Sequence, residues 1–81
     1  RPTSFYLASG VTTQAEERRA AAALHLRSAT RLLDVACGPG NFTAPLAARL
    51  STGSLAVGFD ISEPMLTRAV QDNSGPRTCY V

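Results

Sequence analysis

Two short apolar runs, Arg31 to Cys37 and Leu55 to Asp60, constrain this chain most, because each gives way to a segment with helical spacing. Runs this short, rich in Val and Leu and bounded by polar residues or glycine, fit buried parallel strands. After the first run, Phe42, Leu46, Ala47 and Leu50 share one face of a helix. Pro45 is tolerated only in a first turn, so that helix is predicted to start near residues 41–43, with Gly53 closing it. After the second run, Ser62 offers a cap, Pro64 fits a first turn, and Met65, Leu66, Ala69 and Val70 form an inward stripe. Upstream, Thr13 and Glu16 have the spacing of a capping box, and good helix formers continue to about Ser28. Asn73-Ser74-Gly75-Pro76 breaks the chain, and Arg77 to Val81 opens a third strand. Residues 1–12 read as an irregular lead-in. The alternation predicts an α/β chain with a parallel sheet and flanking helices, with about three strands and three helices present.

Length limits this architecture. At 81 residues the chain is below the size at which one core is comfortable, so it is expected to be one small domain or part of a larger one. An apolar fraction of 44% argues against disorder. All eight basic residues are arginine, and they are scattered, for a net charge of +2. A nucleic-acid surface is expected to carry a clustered basic stripe with aromatics, so no nucleic-acid partner is expected. Cys37 and Cys79 lack metal-ligand spacing and are expected to be buried thiols in a reducing compartment. No run approaches the ~20 apolar residues of a membrane span, and no signal peptide opens the chain. A soluble, cytoplasmic protein with no metal site is the expectation.

Two features carry the chemistry. The glycine-rich turn Asp34-Val35-Ala36-Cys37-Gly38-Pro39-Gly40 follows the first strand, at the sheet rim where open α/β folds bind ligands. Asp60 ends the next strand, where a carboxylate can accept two hydrogen bonds from the vicinal hydroxyls of an adenosine ribose. An adenosine-containing cofactor is implied. The dinucleotide pattern needs a third glycine where Thr43 stands, and Pro39 removes an amide that could serve a pyrophosphate. Asp34, hostile to pyrophosphate, can help hold a cationic ammonium. These features favour S-adenosyl-L-methionine over NAD.

Leu33 to Thr43 resembles the first motif of class I S-adenosylmethionine-dependent methyltransferases. Val57 to Leu66 resembles the second-strand motif of the subgroup with the ubiquinone/menaquinone enzymes. The resemblance implies a Rossmann-like fold. Residues 31–81 would form the N-terminal half of the cofactor-binding domain, and residues 1–30 a lead-in and helix. It also implies that Ala36, Cys37, Gly38 and Gly40 lie beside the methionine part of the cofactor, with Asp34 at the loop's base near the amino group. Asp60 would hold the ribose hydroxyls, and Ile61 and Met65 would border adenine and ribose. The family often has glycine where Ala36 stands, a change that matters if this residue needs positive φ. The family's sheet has more strands than this chain supplies, so the segments that select the acceptor are expected elsewhere, and the chain by itself is expected to be inactive. The acceptor is expected to be a small or lipid-like molecule.

Plainer roles compete. Asp34 can simply cap backbone amides, Met65 is core-like by spacing, and Cys37 lacks a partner that would make it a nucleophile. His25 reads as a surface or partly packed residue, and Arg18 and Arg19 as a solvated face. No residue qualifies as a catalytic base, and no oligomeric state follows. The alternatives are a nicotinamide-dependent oxidoreductase and a non-catalytic cofactor-binding or interaction module.

Overall fold

The computed structural model describes residues 5–9, 13–24 and 31–81. Four strands, β1 (Phe5–Ser9), β2 (Arg31–Val35), β3 (Leu55–Phe59) and β4 (Thr78–Tyr80), alternate with the helices α1 (Gln14–Ala23), α2 (Thr43–Ala48) and α3 (Glu63–Asn73). The strands lie in the order β1-β2-β3-β4 and every pairing is parallel, in keeping with a partial Rossmann-like sheet. Because each crossover steps the same way, the right-handed rule assigns the three helices to one face.

The residues expected to be an irregular lead-in include a strand. Phe5–Ser9 pairs with β2 from Phe5↔Arg31 to Ser9↔Val35. The run is too short to announce itself by pattern. What recruits it is the row of unpaired backbone groups on the free edge of β2, which only the assembled sheet creates.

Helix α1 starts as its capping box dictates. The Glu16 amide donates to Thr13 Oγ1 and the Thr13 amide donates to Glu16 Oε1, both at 3.1 Å. The helix ends at Ala23 with Leu24 as its cap, and the expected continuation to Ser28, with His25, lies outside the described residues. Pro45 does fall in the first turn of α2, but that helix stops at Ala48; Gly53 (φ +87°) belongs instead to the turn into β3.

Burial alternates along β2 and β3, placing Leu32, Asp34, Ala56 and Gly58 on the covered face. Leu32 and Ala56 meet Ala21, Leu46, Ala47 and Leu50 there to form the core. Neighbouring residues on the opposite face are half-buried or, like Leu55 and Phe59, exposed. In α3 the inward stripe narrows to Ala69, with Met65 and Leu66 half-buried and Val70 exposed. Glu17, buried on α1, accepts from Arg49 Nε at 2.7 Å and ties α1 to the end of α2.

Candidate functional site

The bend after β2 is built from left-handed residues. Ala36, Gly38 and Gly40 have φ of +61°, +59° and +80°. At Ala36 this conformation strains an L-residue by about 1–2 kcal/mol, so the alanine found where the family often has glycine is not a neutral change. The strain is held by the ladder, since the Cys37 amide donates to the Phe59 carbonyl at 3.0 Å. A tight turn follows, with the Gly40 amide donating to the Cys37 carbonyl at 3.1 Å.

Asp60 faces this bend. Its Oδ2 accepts from the Gly38 amide at 2.8 Å and its Oδ1 from the Ser62 amide at 2.9 Å. Strand register makes this meeting possible: Val35 is paired with Phe59, so the two chain ends leave the same rim side by side. The amides of Ser62 first, and of Gly38 next, hold the Asp60 carboxyl below its ordinary range, so it is ionised at neutral pH. Each carboxylate oxygen keeps acceptor capacity beyond its one backbone bond. Above Gly38 there is open space, with nothing within 4 Å of where a Cβ would stand. A ligand can therefore approach main chain and carboxylate together.

The other sequence-predicted residues are divided. Ile61 is 91% exposed beside Asp60, and Met65 is half-buried in the first turn of α3, its amide donating to Ser62 Oγ. Cys37 is half-buried, and its Sγ donates to the Gly38 carbonyl. Burial first, then the Asp34 and Asp60 carboxylates, push the Cys37 thiol up, away from the thiolate a nucleophile needs. Cys79 is exposed, contrary to the expectation of a buried thiol, because it falls on the uncovered face of β4. Asp34 is 3% exposed and turned beneath the bend, where Thr43 Oγ1 donates to its Oδ2 at 2.6 Å. Burial raises its carboxyl and the Thr43 hydroxyl partly offsets that.

Sequence reasoning missed the residues that support the bend. The Tyr80 ring lies against Gly40 and Gly58, where a Cβ on either would stand 2.7 Å from a ring or hydroxyl atom. Its hydroxyl, pushed up to about 12 by burial above all, donates to the Asn73 carbonyl at 2.8 Å. Asn73 Nδ2 in turn donates to the Pro39 carbonyl at 2.8 Å and to Asn41 Oδ1 at 3.1 Å. The one available signal was the pair of glycines facing an aromatic, and it needs the β3–β4 register to be seen. Among the described residues no cluster of side chains could hold a metal ion, and no helix is long and apolar enough to cross a membrane.

The family described as "Methyltransferase domain" matches residues 32–81. The 23S rRNA (uracil(1939)-C(5))-methyltransferase of Ralstonia nicotianae is 39% identical over 70 residues, 86% of this chain and 15% of that protein. The enzyme of the same name from Nitrosospira multiformis is 36% identical over 72 residues, 89% of this chain and 16% of the relative. Demethylmenaquinone methyltransferase of Lactiplantibacillus plantarum is 42% identical over 50 residues, 62% of this chain and 21% of that protein. The chain thus spans at most about a fifth of these relatives. No solved structure matches it. Relatives named for 23S rRNA overturn the expectation that nucleic acid plays no part, and with it the small or lipid-like acceptor. The scattered arginines are a weak guide here, because a stretch matching about 15% of such a relative need not carry that relative's charged footprint.

Proposed function

We propose that the intact protein, through the methyltransferase-domain family to which this chain belongs, transfers the methyl group of S-adenosyl-L-methionine to a base of RNA. The convergence of the Gly38 amide and the Asp60 carboxylate at the sheet rim carries the cofactor half of this reading. Asp60 would accept the ribose hydroxyls with its remaining lone pairs. The open main chain at Gly38, with Ala36, Cys37 and Gly40 framing the bend, would lie along the methionine portion, and Ile61 and Met65 would border the nucleoside. Asp34, held from below by Thr43, would stand at the base of the loop near the amino group of the cofactor.

An rRNA acceptor is favoured because the rRNA enzymes match over 86–89% of the chain, whereas the quinone-type relative matches 62%. A cytoplasmic location goes with that acceptor. The methyl family also favours methyl over hydride transfer, and Thr43 in place of a third glycine agrees, since its hydroxyl is committed to Asp34. The cofactor brings an activated sulfonium methyl, so alignment with the nucleophile and exclusion of water supply much of the acceleration.

Calorimetric titration of the intact protein with S-adenosyl-L-methionine and with its demethylated product tests the cofactor, and no heat with either refutes it. Transfer of labelled methyl to a 23S rRNA transcript tests the acceptor; labelling only of a quinone precursor overturns that half.

A further inference from the structure

We propose that Asn73, at the end of α3, is a positioning residue that sets the shape of the cofactor bend, with Tyr80 holding it in place. The proposal rests on the cofactor reading above. Asn73 ends its helix without spending its side chain on that helix. The amide reaches 34 residues back to the Pro39 carbonyl and 32 back to Asn41, while Ser74 Oγ closes the helix end onto the Val70 carbonyl.

The peptide between Pro39 and Gly40 is thereby held at both ends. Its carbonyl accepts from Asn73, and its N–H donates to Cys37. That peptide lies one residue past Gly38, whose amide must meet Asp60, so rotating it would displace the Gly38 donor as well. Tyr80 closes the circuit. Its hydroxyl fixes the Asn73 main chain, and its ring packs against Gly40 inside the bend and Gly58 on the strand beneath. One side chain thus reaches the bend from α3 and one from β4. Preorganising a loop in its bound shape raises affinity by lowering the ordering cost of binding.

The test uses the intact protein. Asn73→Asp keeps the shape of the side chain but cannot donate, so the Pro39 carbonyl loses its donor. Ser74→Asp puts the same charge at the same helix end without touching the bend. Affinity for S-adenosyl-L-methionine is expected to fall about tenfold in Asn73→Asp, the equivalent of one or two hydrogen bonds, and to stay within about twofold in Ser74→Asp. Hydrogen exchange of the Gly38 and Gly40 amides in ligand-free protein is expected to quicken in Asn73→Asp alone. Tyr80→Phe keeps the ring and removes only the bond to Asn73, so it is expected to show a smaller loss of the same kind and serves if Asn73→Asp does not fold. Unchanged affinity and exchange in Asn73→Asp, or in Tyr80→Phe where that variant stands in for it, or equal losses in Asn73→Asp and Ser74→Asp, overturn the positioning role while leaving the cofactor reading intact. Failure of the unsubstituted protein to bind overturns the cofactor reading itself.

Discussion

Alanine at Gly40 should destabilise this unit far more than alanine at Gly38, although both glycines are left-handed and two residues apart. An L-residue in that conformation costs about 1–2 kcal/mol, and at Gly38 nothing is added, because no atom lies within 4 Å of the new Cβ. At Gly40 the Cβ would stand 2.7 Å from the Tyr80 hydroxyl and 3.0 Å from two ring carbons. The ring cannot swing aside cheaply, being tied to Asn73 and seated on Gly58. Displacing it costs about 1–3 kcal/mol more, as overpacking generally does, so Gly40→Ala should lose about 2–5 kcal/mol. Tyr80→Ala made together with Gly40→Ala should return the steric part, giving a coupling of about 1–3 kcal/mol. Native-state hydrogen exchange of the β2 and β3 amides in the intact protein reads the local stability directly. Equal losses at the two glycines, or no coupling with Tyr80, would refute the packing described here.

Other expectations follow from the same geometry. Asp60→Asn should weaken S-adenosyl-L-methionine binding about tenfold or more, since it removes a charged acceptor, and calorimetry checks this. The raised carboxyl of Asp34 binds its proton more tightly in the folded chain than in the unfolded one. Its contribution to stability is therefore complete below the unfolded pKa and is lost as pH rises through the folded one. Asp34→Asn should accordingly be more stable than the parent at neutral pH, with the gain vanishing towards the ordinary carboxylate range. A pH series of unfolding curves in which the gain grows on acidification would contradict this. Arg49→Met leaves Glu17 buried without its guanidinium and should cost about 1–3 kcal/mol in urea unfolding, less than a fully buried pair because Arg49 is partly exposed. Glu17→Gln added to it should recover part of that loss.

The residues themselves determined the order of elements from α1 onward and the two segments, the glycine bend and the end of β3, that meet at the sheet rim. Thr13 with Glu16, Pro45, and Ser62 with Pro64 are local signals acting over one helical turn, and short apolar runs report strands wherever both neighbours are also strands. Gly38 and Asp60, which meet at the sheet rim, were legible because a left-handed bend after one strand and a carboxylate closing the next each call for a particular residue type. Everything that depends on register was decided by the tertiary structure. Phe5–Ser9 becomes a strand because β2 offers it an edge. Asp34 turns towards Thr43 because alternate residues of β2 face the helices. Asn73 and Tyr80, unremarkable in sequence, come to brace the bend because β4 pairs Tyr80 with Gly58 and brings the end of α3 over Pro39. Local chemistry acts over a few residues and can be read along a chain, whereas contacts across more than thirty residues exist only after the sheet has closed.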